Sequence, residues 1–328
     1  MTGSSPTVGV AGFTLGGGVG WLSRKLGFAA DSLLRVDIVT ADGRLRRASA
    51  HDNSDLFWAL RGGGGNFGVV TALEFRLHRV SRVYAGTATF PISRAAETLA
   101  RYRDWAASQP DELTTGIVLT KDSVALRAAY VGEPDAAERA LSPLWEAAGT
   151  PVTSDLRPMG YAETATLGGT APRQFELFAE LPDAVLRAAV DATARANAVE
   201  LRHWGGAMRR GTGPVGHREV PFSITVDGAP EATLARHATG GSFLNFLQDP
   251  SRTHTAYTAD DYRRLREVKR AHDPENLFAV GHTIPPARYP SAQGTTTESS
   301  VGESRATTYS EGSVSETFWT VWVSRGGT

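Results

Sequence analysis

Two glycine runs constrain this chain more than any other feature. Residues 9–20 read Gly-Val-Ala-Gly-Phe-Thr-Leu-Gly-Gly-Gly-Val-Gly, and residues 62–68 read Gly-Gly-Gly-Gly-Asn-Phe-Gly. Each glycine inside a helix costs about 1 kcal/mol relative to alanine. The first run therefore predicts a loop, one that turns sharply or lets main chain approach a ligand closely. A short helix follows from Trp21 to Lys25 and ends near Gly27. Over 33–47, Leu34, Val36 and Ile38 alternate with polar residues, and Asp42-Gly43 predicts a hairpin with a two-residue turn. Asn53, Ser54 and Asp55 offer caps for a helix over 56–61, closed by Gly62. The second run feeds a strand with Val69, Thr71, Leu73, Phe75 and Leu77 on one face and Glu74, Arg76 and His78 on the other.

Composition narrows the function classes. Hydrophobic residues make up 41% of 328 residues, enough for a sizeable core. Lys plus Arg is 34 against 35 for Asp plus Glu, so the net charge is −1, without the basic excess of a nucleic-acid or acidic-membrane binder. Cysteine is absent, which excludes disulfides, thiolate metal sites, iron–sulfur clusters, a cysteine nucleophile and a cysteinyl cofactor link. No apolar run approaches the roughly 20 residues of a membrane span. The polar Gly/Ser/Pro start is unlike a signal peptide, so a cytoplasmic location is expected. Neither glycine run continues into Gly-Lys-Ser/Thr, so there is no Walker motif.

From about 84 to 240, strands are predicted at 87–90, 116–119, 124–130, 200–204 and 222–226, and helices at 94–107, 135–148 and 183–196. This alternation, without long apolar parallel-sheet runs, implies an α+β domain on an antiparallel sheet flanked by helices. Residues 242–250 read as a short apolar strand. Thr258 caps a helix over 259–271 with Tyr262, Leu265 and Val268 on one stripe, and a turn follows at 273–276. Residues 287–328 are rich in Ser, Thr, Gly and Glu and are expected to be disordered. The expected division is 1–82, 83–241, 242–286 and the tail.

Certain segments together carry a resemblance. These are 8–20, Arg24-Lys25-Leu26-Gly27, Val39-Thr40-Ala41-Asp42-Gly43, and the stretch from Asp55-Leu56-Phe57-Trp58 through Val70. In order and spacing they resemble the berberine-bridge-enzyme-like FAD-linked oxidases, within the second half of a PCMH-type FAD-binding domain. Phe243-Leu244-Asn245-Phe246 is similar to that family's Tyr-x-Asn-Tyr segment. Asp273-Pro274-Glu275-Asn276-Leu277-Phe278 with Ile284-Pro285-Pro286 is similar to its C-terminal signature. The resemblance spans about residues 5–286. It implies FAD as cofactor, with Gly12, Gly16, Gly17, Gly18, Gly20, Asn66, Phe67, Gly68 and Val70 lining it. It also implies hydride transfer from a small molecule or secondary metabolite to flavin, with dioxygen as acceptor. The competing reading of the glycines is that they only form tight turns.

Three departures shape these expectations. The family's Arg-Ser-Gly-Gly-His segment has no counterpart, so an N-terminally truncated FAD domain is expected. Ser5 stands where bicovalent members carry the flavin-linking Cys, so any flavin is expected to be non-covalent. Phe246 replaces a family Tyr that serves as base or orients substrate, and Gly281 and Thr283 replace asparagines. His282 and His217 are the candidate bases, with His203, Arg218 and Tyr257 as further substitutes. For each, a structural hydrogen-bonding role is the alternative. The alternative for the whole chain is a non-catalytic remnant or ligand-binding module that holds no FAD alone.

Overall fold

The first glycine run divides in two. In the computed structural model, which describes residues 3–5, 7–80 and 82–288, Val10–Leu15 is a helix (α1) and only Gly16–Gly20 is loop. The loop expected over all of 9–20 is thus corrected. Just one glycine, Gly12, lies inside α1, and burial of Phe13, Thr14 and Leu15 offsets its propensity cost. Gly17 (φ 113°) and Gly18 (φ 76°) adopt backbone that other residues rarely do.

Helix α2 (Ser23–Leu26) ends at Gly27, and β1 (Leu33–Val39) pairs antiparallel with β2 (Leu45–Ser49). The hairpin turn is longer than expected, because Val39 faces Leu45 across a five-residue connection. Gly43 N–H donates to Thr40 O (2.9 Å) and Thr40 N–H to Arg44 O (3.1 Å), with Gly43 left-handed. A Thr40–Asp42 side-chain bond (2.6 Å) favours this turn-plus-bulge over a two-residue turn. Helix α3 (Ser54–Leu60) starts at Asn53, whose amide donates to Arg47 O (2.7 Å) instead of capping.

Strand β3 (Val69–Phe75) completes a three-stranded sheet in the order β2-β1-β3. A bulge skips Thr71, since Asp37 faces Ala72 and Ile38 faces Val70. The two-residue period therefore breaks, and Val70 rather than Val69 joins Leu73 and Phe75 against the core. Leu77, expected on that face, lies beyond the strand and is 91% exposed.

The larger sheet comprises β4 (Arg82–Pro91), β5 (Leu113–Leu119), β6 (Ser123–Tyr130), β7 (Thr153–Ser154), β8 (Arg157–Gly160), β9 (Gln174–Phe178), β10 (Ala196–His203) and β11 (Phe222–Gly228). Its order is β7-β4-β6-β5-β10-β11-β9, with β8 also on β4, and every pairing is antiparallel. Helices α4 (Ala95–Ala106), α5 (Pro134–Ala148), α6 (Asp183–Ala192) and α7 (Ala232–His237) accompany it. Leu99, Leu141, Leu144 and Val185 from these helices pack on Ile117, Leu126, Leu201 and Ile224 of the sheet. The expected helix over 183–196 stops at Ala192, and β10 begins four residues later. The α+β class with an antiparallel sheet flanked by helices is what the fold shows.

Residues 242–250 are a turn and not the expected strand. Phe243 O accepts from Phe246 N–H (2.9 Å) and Leu247 N–H (3.0 Å). The consecutive apolar residues serve two cores: Phe243 packs with Phe28 and Trp204, and Leu244 with Leu56 and Trp58. Helix α8 (Ala259–His272) is capped by Thr258 Oγ1, which accepts from Asp261 N–H (3.1 Å), and it buries Leu265 and Val268. The turn at 273–276 closes through Asn276 N–H to Asp273 O (3.1 Å). The described residues up to Ala287 form one compact unit. The expectation for the tail lies, from residue 289 on, outside the described residues. Among the described residues no helix is long and apolar enough to cross a membrane.

Candidate functional site

The glycines of the first loop hold the protein together more than they hold space open. Gly16 N–H donates to Gly12 O (3.1 Å), Gly17 N–H to Thr14 O (3.0 Å), Gly18 N–H to Asn245 Oδ1 (2.9 Å) and Gly20 N–H to Ser23 Oγ (2.8 Å). A Cβ at Gly16 would strike Asn245, one at Gly17 would lie 2.9 Å from Phe243, and one at Gly18 2.7 Å from Ala29 Cβ. These positions are glycine because other chain segments press against them.

Gly12 behaves differently. It is exposed, and a Cβ there or at Gly9 would meet nothing within 4 Å. A ligand can therefore approach the main chain at Gly9 and Gly12, beside the exposed Val8 and Val10. A phosphate or a flat ring can lie against main chain here, so these residues fit a flavin nucleotide.

The second glycine loop faces inward. Asn66 donates to Gly63 O (2.8 Å) and His282 O (2.9 Å) and accepts from Ile284 N–H (2.8 Å). Phe67 is fully buried, Gly68 abuts Val39 O, and Val70 is half-buried against the core. The sequence-derived cofactor residues thus fall into two sets. Gly12 borders open space, and Gly16, Gly17, Gly18, Gly20, Asn66, Phe67, Gly68 and Val70 are engaged within the protein.

The candidate bases are engaged too. His282 Nε2–H donates to Leu247 O (3.0 Å), and its Nδ1 lies 3.2 Å from Thr253 Oγ1. His217, at φ 56°, donates Nε2–H to Thr255 O (2.8 Å). Each ring clasps one chain segment to another, which suits a positioning role. Arg218 pairs with Asp31 through two bonds (2.9 and 3.0 Å) and lies over the Phe28 ring. Tyr257 OH donates to Gly62 O (3.2 Å), and burial pushes its phenol well above the ordinary value. His203 is buried, and its Nε2 accepts from Arg24 (3.0 Å). Burial first and the Arg24 charge second push it down to about 3, so it is neutral at pH 7. Phe246 packs on Phe175 and Phe243 (ring centroids 5.1 and 5.4 Å). Ser5 Oγ lies 3.0 Å from Thr7 Oγ1.

Two residues quoted above only within the family-like segments, and not as site residues, organise this region. Asn245 latches the glycine loop, since its Nδ2 donates to Gly12 O (3.3 Å) while its Oδ1 takes the Gly18 N–H. Its signal is a lone amide in the apolar run Phe-Leu-Asn-Phe-Leu. Arg24 donates to four main-chain carbonyls from the larger sheet and its loops. Replacing Asn245 with leucine leaves the Gly18 N–H without an acceptor, and a loss of about 1–3 kcal/mol is expected in a urea titration. A change within error would show that the latch contributes nothing.

Comparison with known proteins agrees with this layout. Residues 1–49 match the family model described as FAD binding domain, and residues 242–285 the one described as berberine and berberine like. The chain is 29% identical over 330 residues to the FAD-linked oxidoreductase YvdP of Bacillus subtilis, covering 87% of this chain and 73% of that one. It is 29% identical over 334 residues to (R)-6-hydroxynicotine oxidase of Paenarthrobacter nicotinovorans, covering 87% and 72%. Its fold matches BBE-like 1 of Physcomitrella patens with a TM-score of 0.79 at 23% identity, over 88% of this chain and 72% of that one. On these grounds the chain resembles the berberine-bridge-enzyme-like FAD-linked oxidases in its FAD-binding and berberine-like segments and in its fold.

Proposed function

We propose that this protein oxidises a small organic molecule by moving hydride to FAD held non-covalently beside Gly9 and Gly12, with dioxygen as the final acceptor. The observation that carries this reading is the Asn245 latch. The segment matching the FAD-binding family and the segment matching the berberine-like family are joined at Gly12 and Gly18 by one side chain. When bound, FAD supplies the hydride-accepting ring. Gly9 and Gly12 let that group approach main chain. Asn245 keeps the following loop in place. Phe246 has no proton to exchange, so it shapes the substrate side without acting as acid or base. The absence of cysteine supports non-covalent attachment. The name of the (R)-6-hydroxynicotine oxidase relative supports a small-molecule substrate.

The purified chain, incubated with FAD and freed of excess, is expected to show flavin absorbance in the visible. After acid precipitation the colour is expected in the supernatant. Colour retained in the pellet would refute non-covalent attachment. A colourless protein would select the second reading, a ligand-binding module without flavin. That reading is favoured by the internally engaged N–H groups of Gly16, Gly17, Gly18 and Gly20.

A further inference from the structure

The face of the larger sheet turned away from the helices carries an unbalanced charge. Arg127 on β6 faces Gly116 on β5, and Gly116 faces Arg202 on β10, so the three form one cross-strand row. Gly116 contributes no side chain, and Glu200 Oε1, Leu201 O and the edge of the Trp21 ring lie 3.3, 3.6 and 3.8 Å from where its Cβ would be. Glu200 is on the same face and packs beside Gly116. Glu200 and Arg202 are 3% and 5% exposed. Glu200 Oε1 accepts from Arg202 Nε (3.0 Å) and Nη2, and its Oε2 accepts from Thr170 N–H (3.1 Å). The Arg202 guanidinium also lies 4.7 Å from the Trp21 ring centroid, directly after the first glycine loop.

These bonds satisfy Glu200 and leave the arginines short of acceptors. The Nη1 atoms of both Arg202 and Arg127 are buried with no hydrogen-bond partner. Two guanidiniums against one carboxylate leave an excess of one positive charge where water is scarce. Such a charge is costly unless a counter-charge joins it. Orphaned guanidinium donors plus that excess complement an oxyanion, and planar N–H groups match a carboxylate especially well.

We propose that Arg127 and Arg202, through the unpartnered Nη1 atoms that flank Gly116 in this row, bind the carboxylate of an organic acid, and that the substrate of this enzyme carries one. Only the word substrate rests on the oxidoreductase reading, since binding itself needs no flavin. Glu200 holds the Arg202 fork so that its free Nη1 stays available, and Trp21 backs the guanidinium.

The test is calorimetric titration of the purified protein with acetate and benzoate, each against its uncharged amide, with Trp fluorescence followed in parallel. At least one acid is expected to bind about tenfold or more tightly than its amide, the difference expected for a charge-assisted hydrogen bond. Arg127→Met, at a half-buried position, is expected to remove a similar factor, and Arg127→Lys to restore most of it. Trp21→Phe is expected to keep the heat and lose much of the fluorescence change. Equal affinity for acid and amide, no acid binding at millimolar concentration, or an unchanged Arg127→Met titration would overturn the proposal. Competition by ADP would overturn it as well, by assigning the arginines to cofactor phosphate. The two readings fail separately: a colourless protein that binds the acid sinks only the flavin reading, and a yellow protein that ignores it sinks only this one.

Discussion

Substituting methionine for Lys269 is expected to cost this protein about 3–5 kcal/mol of unfolding free energy, the size seen when one partner of a buried ion pair is removed. Both Lys269 and Asp273 side chains are fully buried. The ammonium donates to Asp273 Oδ2 (2.6 Å), Asn66 O (2.7 Å) and Phe278 O (2.9 Å), so its three protons are all engaged. Asp273 in turn accepts from Leu277 N–H (2.7 Å) and Phe278 N–H (2.8 Å). Methionine fills much of the volume but strands a buried carboxylate and two carbonyls. The additional change Asp273→Asn is expected to recover part of the loss, because it removes the unpaired charge and keeps an acceptor. Urea unfolding followed by Trp fluorescence measures both, and a single-variant shift under about 1 kcal/mol would show the pair to be ordinary surface-grade electrostatics. The acid limb gives a second check. Burial alone would raise the Asp273 carboxyl, yet the Lys269 ammonium and the two N–H groups hold it below its ordinary value. Its folded pKa is depressed, so its contribution is present above the ordinary carboxylate range and is lost as pH falls through the folded value. Without Lys269 the carboxyl rises, and acid unfolding is expected to begin at higher pH.

The same pair marks how far the chain could be read without its structure. Local patterns were legible: the Thr258 cap, the α8 stripe, the alternation in β6 and the glycine end of α2 are each written within a few consecutive residues. Strand β9 was not, because Gln174 and Glu176 make it look polar. Both are buried, with Gln174 tied to Glu231 of the segment that starts α7. Glu200 and Arg202 are buried as well, although polar residues at alternate strand positions normally mean a wet face. The bulge at Thr71 inverted one face of β3 for want of any local signal. The family segments were recognisable in order, but which glycines border open space was not. The partners that engage Gly16, Gly17 and Gly18 include Asn245 and Phe243, more than 220 residues away in sequence.

Arg24 carries the second large expectation: replacement by methionine is expected to destabilise the protein by about 3–5 kcal/mol, as several buried acceptors lose a charged donor. Its guanidinium reaches Leu113 O (2.7 Å), Trp204 O (2.6 Å), Gln109 O (3.0 Å), Pro110 O (3.2 Å) and His203 Nε2 (3.0 Å). No carboxylate is among these partners, so the side chain acts as a peg that joins helix α2 to strands β5 and β10. Burial lowers the Arg24 pKa from its ordinary value. His203 offers a readout that a loss of packing alone would not move. Because its folded value, about 3, lies below its ordinary 6.5, the unfolded chain binds the extra proton between those limits. Stability contributed by this group is therefore full above 6.5 and declines as pH falls toward 3. With Arg24 gone, the second cause of the depression disappears and Nε2 is open to a proton. The histidine is then expected to titrate at higher pH by NMR, and the stability slope across that window to flatten. A variant that loses stability but keeps the His203 titration of the parent would show that the peg acts through volume and not through its charge.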